Sequence, residues 1–296
     1  MMKSPRKSPE HFQCLSRISK VLSRGTVHGL VIVICLFWLS PTVGLLVSSF
    51  RTRPAISASG WWTAFQTPFQ LTLENYQEVL FQEGMGRSFL NSLLIAVPST
   101  TLTILFAALA AYAFAWMKFP GRDTLFAVVV GLLVVPLQMT LIPILRLFTA
   151  SHLTGTFPAI WLAHTAYGLP FAIFLLRNFF IDLPRDLFES AFMDGASHLT
   201  AFFHILLPLS VPSLAALAIF QFLWVWNDLL VALVFLGGSR TVAPMTLTIS
   251  NLVSSFGSEW HLLTAAAFIS MLLPLLIFFC AQKYFVRGIL AGALKG

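Results

Sequence analysis

Charge is scarce in this chain. Of its 296 residues only 10% are Asp, Glu, Lys or Arg and 57% are hydrophobic, whereas an ordinary soluble domain is about one quarter charged. The mean hydropathy is +0.85. A water-soluble globule is a poor host for such a composition; an integral membrane protein is the fitting class. Cysteine is equally sparse. Cys14, Cys35 and Cys280 are scattered, with no Cys-x-x-Cys, so the sequence supports neither a disulfide framework nor a zinc site. No G-x-x-x-x-G-K-[ST] loop is present, which argues against ATP binding by the chain itself. No His-Glu-x-x-His, Ser-His-Asp pattern or suggestive carboxylate pair marks a catalytic or metal centre. Few segments alternate as a transmembrane barrel requires.

What the sequence has in abundance is long apolar runs, each exceeding the roughly 20 residues that cross a bilayer. They predict an all-α membrane protein with six helices near 28–50, 89–116, 124–147, 156–180, 204–236 and 262–285. The first run is longer than a signal peptide's apolar region and reads as a retained span. The fifth is too long for a simple crossing, so its first turns are expected at the membrane surface, with entry bends at Pro208 and Pro212. Pro136, with Gln138, Thr140 and Pro143 beyond it, makes the third span irregular. His164, Tyr167 and Pro170 suggest the same for the fourth. The small residues of "AALAAYAFA" (Ala107–Ala115) offer close helix approach.

Charge distribution sets the orientation. With the N-terminus inside, thirteen Lys and Arg fall on inner segments and five on outer ones, which favours N-in, C-in. Arg51 and Arg53 dissent locally, just past the first span. The chain then divides into an inner tail (1–27), the first span (28–50), an outer loop (51–88), a five-helix core (89–285) and an inner tail (286–296). The outer loop carries "GWW" (Gly60–Trp62), which reads as an interfacial anchor. Segment 237–261 reads as a loop or shallow hairpin. No internal repeat of the kind built into secondary carriers is visible.

One inner segment, about 183–203, is polar. In "IDLPRDLFESAFMDGASHL", Pro184 can open a helix, and Asp186 with Glu189 has the spacing of a capping pair. Leu183, Leu187, Phe188, Ala191 and Phe192 recur at helical spacing. Gly195 turns the chain, and a second helix starts near Ser197. Two uses fit the pattern equally: a connector lying on the lipid surface, or a docking knob for a partner. The acids favour docking mildly, because a helix on anionic lipid is expected to be rich in Lys and Arg.

This stretch resembles a known family. Glu189-Ser190-Ala191, Gly195 and Ile205-Leu206-Leu207-Pro208 stand at the spacing of the EAA loop of ABC importer permeases, with Ser190 in place of the usual first alanine. "LTLENYQEVL", "FLNSLLIAV", "AYAFAWMKFPGR", "RNFFIDLP" and "WVWND" follow the order seen in the maltose-type carbohydrate permeases, and "GILAGALKG" looks like their C-terminus. The resemblance covers about residues 71–296. It implies a multi-pass protein of a bacterial-type inner membrane, with a coupling helix between spans four and five. Glu189, Ala191, Asp194, Gly195, Leu207 and Pro208 would engage an ATPase, Glu189 through an ion pair with an ATPase arginine. The implied partners are a homologous second permease, two ATP-binding cassette ATPases and an extracytoplasmic solute-binding protein. No cofactor is expected on this chain, since ATP is bound by those partners.

The pathway candidates lie in the fifth span. Asp228 is a charge at membrane depth, expensive unless it faces a cavity or a partner. Asn227, Trp224 and Trp226 beside it suit hydrogen bonding to and stacking on a sugar, and the family's "WN" element falls here; helix packing near the outer leaflet has equal claim. "SGWWTAF" (Ser59–Phe65) resembles the α-glucoside subgroup, so an oligosaccharide or α-glucoside is the expected cargo. The alternatives are a polyol or glycerol phosphate importer, an ion-coupled secondary carrier, and a structural membrane component.

Overall fold

The computed structural model describes residues 9–66, 71–256 and 259–293. In chain order the helices are α1 (Pro9–Ser49), α2 (Arg53–Ala58), α3 (Glu74–Phe81), α4 (Met85–Trp116), α5 (Arg122–Gly131), α6 (Leu137–Ala150), α7 (Phe157–Ile181), α8 (Arg185–Met193), α9 (His198–Ala201), α10 (Leu207–Leu209), α11 (Val211–Trp226), α12 (Leu230–Leu236), α13 (Met245–Phe256) and α14 (Trp260–Ala293). No strand occurs among the described residues. The helix of the first span begins at Pro9 rather than near residue 28, although its apolar stretch, Gly25–Ser49, is close to the expected one. Of the C-terminal motif "GILAGALKG", residues 294–296 lie outside the described residues.

Among the described residues four helices are long and apolar enough to cross a membrane, and up to six spans result if each of two bent pairs counts as one. Both breaks have a cause in the sequence. The third run bends by 102° between Val134 and Leu137, where Pro136 in extended conformation ends one helix and opens the next. The fifth bends by 76° between Leu209 and Val211, inside the Pro208–Pro212 interval. Span four departs from expectation: Pro170 lies within α7 without interrupting it. So does the end of span five. The helix expected to run to residue 236 stops at Trp226 and restarts at Leu230.

Two apolar cores form at opposite ends of the bundle. One is built on Ala107, Ala108 and Ala111 of α4 against Ala172, Ile173 and Leu176 of α7, with Phe188 and Phe202 closing its end. Side chains this small let two helix backbones approach closely, which is how apolar helices associate where lipid removes the hydrophobic drive. The other core gathers Trp226, Phe148, Phe235 and Ile269. A buried contact between α7 and α11 also demands a small residue: a Cβ on Gly168 would fall 2.5 Å from the Gln221 amide nitrogen.

Segment 237–261 contains a helix, α13, that β-branched and polar "TLTISNLVSS" does not advertise. Tertiary contacts from α4 override that weak propensity. Asn91 Nδ2 donates to the carbonyls of Thr241 and Ala243 at 3.1 and 3.0 Å, Met245 N donates to Ser92 Oγ at 2.9 Å, and the Ser88 and Thr248 hydroxyls lie 2.7 Å apart.

The dissenting charge past the first span has a structural explanation. Arg51 is 1% exposed. Its Nη2 donates to Ala55 O at 2.8 Å and Ser59 Oγ at 2.7 Å, and its Nη1 to Ser59 O at 3.0 Å. Asn75 Nδ2 donates to Arg51 O and Ser49 O at 2.8 and 2.9 Å, pinning α3 beneath α1. Burial lowers the Arg51 pKa from its ordinary value, yet an arginine stays charged under any such shift. Arg51 is therefore a staple for the outer loop and a weak voter on orientation. Arg51→Leu is expected to cost about 2–3 kcal/mol, the value of hydrogen bonds to a charged group, read as a lower thermal unfolding midpoint and faster proteolysis between residues 53 and 63.

Candidate functional site

The polar segment of the sequence forms a knob. Pro184 is the N-cap of α8 in extended conformation, with no side-chain hydrogen bond to the helix; the Asp186–Glu189 capping pair does not form. Proline supplies the start by its fixed φ and missing N–H. At the other end Ala196 N donates to Ala191 O at 2.9 Å, and Gly195 takes φ +83°, the left-handed turn that glycine adopts without steric cost. Ser197 then caps α9, its Oγ accepting from Thr200 N at 3.2 Å. Five residues of π-helix, Phe202–Leu206, carry the chain to α10 and the bend.

Two contacts fix this knob to the spans, and two more brace them. The Phe188 ring is fully buried and stacks on Trp116 with centroids 3.9 Å apart and 23° between planes. Trp116 Nε1 donates to Phe180 O at 3.2 Å, so one indole joins the ends of α4 and α7 to α8. Tyr112 Oη and His198 Nδ1 lie 3.0 Å apart, and Phe192 meets the His198 ring edge-on at 5.1 Å. The opposite face is bare. Glu189, Asp194, Gly195 and Pro208 are exposed, while Ala191 and Leu207 are half-buried. Met193 is 88% exposed, and Leu187, Leu199 and Phe203 are exposed as well. A knob held at its base, with exposed Asp186, Glu189 and Asp194 among apolar side chains, has the mixed character of a docking surface.

Around Asp228 the four pathway candidates separate. Trp226 is 2% exposed and packs in the core; its Nε1 donates to Ser270 O at 3.1 Å and its ring stacks on Phe222. Trp224 is 39% exposed and meets His164 edge-on at 5.5 Å. Asn227 is exposed, its Nδ2 donating to Leu223 O at 2.8 Å. The Asp228 carboxylate accepts from Val231 N at 3.3 Å and Ala232 N at 3.0 Å, so it caps α12. Its backbone carbonyl accepts from Thr246 Oγ1 at 2.6 Å, which ties α13 to the same point.

Sequence reasoning read His164 only as a source of irregularity. The structure buries it and puts its Nε2 3.8 Å from Asp228 Oδ2. The pair joins positions 64 residues apart, and no local pattern could have announced it. Behind it runs a polar seam. Gln221 Nε2 donates to Thr103 Oγ1 at 3.4 Å and His164 O at 3.5 Å. Both His164 ring nitrogens and the hydroxyls of Ser99, Thr100 and Thr165 are buried without a hydrogen-bond partner among the described residues. Next to the seam, Tyr167, Phe171, Phe220 and Trp224 line a cavity of about 300 Å³. Unpaired polar atoms in an apolar bundle are costly, which makes this seam a candidate functional feature. No cluster of three or more possible metal ligands occurs among the described residues.

Comparison with known proteins decides the family. Residues 87–291 match the binding-protein-dependent transport system inner membrane component. The chain belongs to that family. The osmoprotective compounds uptake permease protein GgtD of Synechocystis sp. is 58% identical over 272 residues, 91% of each chain. The alpha-glucoside transport system permease protein AglG of Rhizobium meliloti is 42% identical, with 91% of this chain and 97% of that protein covered. Among solved structures, the bacterial alginate ABC transporter in complex with its alginate pentasaccharide-bound periplasmic protein shares the fold, with TM-score 0.64 over 92% of this chain and 98% of that one at 15% identity. The chain is thus an ABC-type permease component of an inner membrane.

Two substitutions separate the roles of the site. Phe188→Ala removes the ring that anchors the knob and is expected to cost about 3–5 kcal/mol locally. In a reconstituted complex it should hydrolyse ATP with little transport. Asp228→Ala removes the α12 cap at about 1 kcal/mol, and the expected result is a modest fall in thermal midpoint with a larger fall in uptake.

Proposed function

We propose that the chain is the membrane-spanning permease subunit of an ATP-driven importer for a sugar or other hydroxyl-rich glycoside, forming half of the translocation pathway. The names of the two relatives, an alpha-glucoside permease and a permease for osmoprotective compounds, support this cargo class over glycerol phosphate. The observation that carries the proposal is the exposed α8 knob bolted to α4 and α7 through the Phe188–Trp116 stack. A chain with no phosphate-binding loop must receive its work from elsewhere, and this knob is where a partner can push.

In this reading six spans run N-in, C-in, supported by the thirteen-to-five distribution of Lys and Arg. The partners are a homologous permease, two ATP-binding cassette ATPases and an extracytoplasmic solute-binding protein. Glu189 pairs with an ATPase arginine. Ala191 and Asp194 bear on the ATPase groove, Gly195 sets the turn, and Leu207 with Pro208 carries the motion into span five. Closure of the ATPases moves α8, and the stack transmits that displacement to α4 and α7. Trp224, Asn227 and Asp228 contact the passing solute, with Trp226 holding them from behind. A secondary carrier is the less favoured reading, since family membership places the chain among binding-protein-dependent systems.

Glu189→Lys and Gly195→Asp test the assignment. Each variant should insert at normal abundance and lose ATP-linked uptake of labelled glucoside by proteoliposomes of the assembled complex. Normal uptake by both would remove the lever.

A further inference from the structure

Four cations converge on one hollow at the base of α8. Lys118, Arg122, Arg177 and Arg185 line a cavity of about 530 Å³, with Glu189 the one carboxylate among its lining residues. They come from four places in the chain: the α4–α5 link, the first residue of α5, the last turns of α7 and the first residue of α8. Among the described residues Lys118, Arg177 and Arg185 have no carboxylate within ion-pair distance, and Arg122 has only the exposed Asp123, at 3.0 Å. The Arg177 guanidinium lies 4.0 Å from the centre of the Phe126 ring, and its buried Nε has no hydrogen-bond partner among the described residues. Like charges gathered around one hollow repel one another. The preference of inner segments for Lys and Arg accounts for cations on this side; it does not account for four of them around one hollow.

The cavity's level says what relieves the repulsion. Trp116, the last residue of α4, and Ile181, the last of α7, are both on its wall. It sits where two apolar spans end, beside an indole of the kind that belongs to the membrane interface. Basic pockets between spans on the inner side suit phospholipid headgroups, and guanidinium groups pair with phosphate oxygens through two parallel hydrogen bonds.

We propose that this cavity binds the phosphate of an anionic phospholipid headgroup of the inner leaflet, which neutralises the cluster and braces the foot of the coupling helix. Binding rests on the chain's membrane setting and on the N-in, C-in orientation proposed above; the brace rests on the reading of α8 as the coupling helix. A carboxylate of the ATPase and free inorganic phosphate are the competing occupants.

The test uses the assembled complex, purified from membranes containing phosphatidylglycerol and examined by native mass spectrometry after stepwise delipidation. The proposal expects one phosphatidylglycerol retained per copy of this chain. Arg177→Gln combined with Arg185→Gln should lower retention about tenfold or more, since two charge-assisted contacts are lost. Arg177→Lys with Arg185→Lys should restore most of it and guards against misfolding, and Arg146→Gln, at the far end of the third span, should leave it unchanged. Three results would each overturn the proposal: equal retention in the glutamine variant, displacement of the lipid by millimolar inorganic phosphate, or a cross-link from Arg185→Cys to an ATPase acid with no lipid retained. Because lipid is counted directly, a failure of sugar uptake does not bear on the outcome.

Discussion

The stacking of Phe188 on Trp116 is the contact on which the rest of the molecule's logic depends. Aromatic pairs contribute about 0.5–1.5 kcal/mol beyond their buried area, a modest sum, but the position of this pair matters more than its energy. Phe188 is the fully buried residue of α8, and Trp116 also reaches Phe180 O at the end of α7. A short amphipathic helix has little stability of its own. The stack joins α8 to the ends of two spans, and the Tyr112–His198 contact adds a second tie through α9.

A second constraint follows from the solvent. In an apolar bundle every polar side chain must be paired, hidden or used. This chain does all three. Both terminal nitrogens of Arg51 are paired within its own loop. Asp228 spends its carboxylate on the first free amides of α12 while facing His164. The Ser99, Thr100 and Thr165 hydroxyls are left over along the α4–α7 seam, beside an aromatic cavity of the size that holds a small solute. The anchor of α8 and the seam share α4 and α7.

Much of this was legible in residue order, where the cause is local. Proline in the third and fifth runs announced both bends, Gly195 announced a turn, and Ser197 announced the start of α9. The EAA-like spacing pointed to the knob. Long-range contacts were not legible. Nothing near Phe188 in sequence marks it as the anchor, because its partner is 72 positions earlier and belongs to a span. The break after Trp226 is hidden by the absence of proline or glycine in "WNDLLVALVF"; the available signal is Asp228, which the sequence offers as a pathway or helix-packing residue and the structure uses to cap the following helix. Helix α13 was missed because its propensity is weak and its hydrogen bonds come from Ser88, Asn91 and Ser92 on α4. The capping pair Asp186–Glu189 had the right spacing and failed because Pro184 occupies the N-cap with no side-chain oxygen to give.

The central claim is that α8 and the adjoining end of α4 move as one body when nucleotide binds. Spin labels at Met193→Cys on α8 and Leu105→Cys on α4, both exposed positions, would report their separation in the assembled complex once the three native cysteines are replaced by serine. The account predicts one distance distribution, the same with and without ATP, while the distance from Met193→Cys to the second permease shortens. A shift of the α8–α4 distance on ATP binding, with uptake intact, would contradict it.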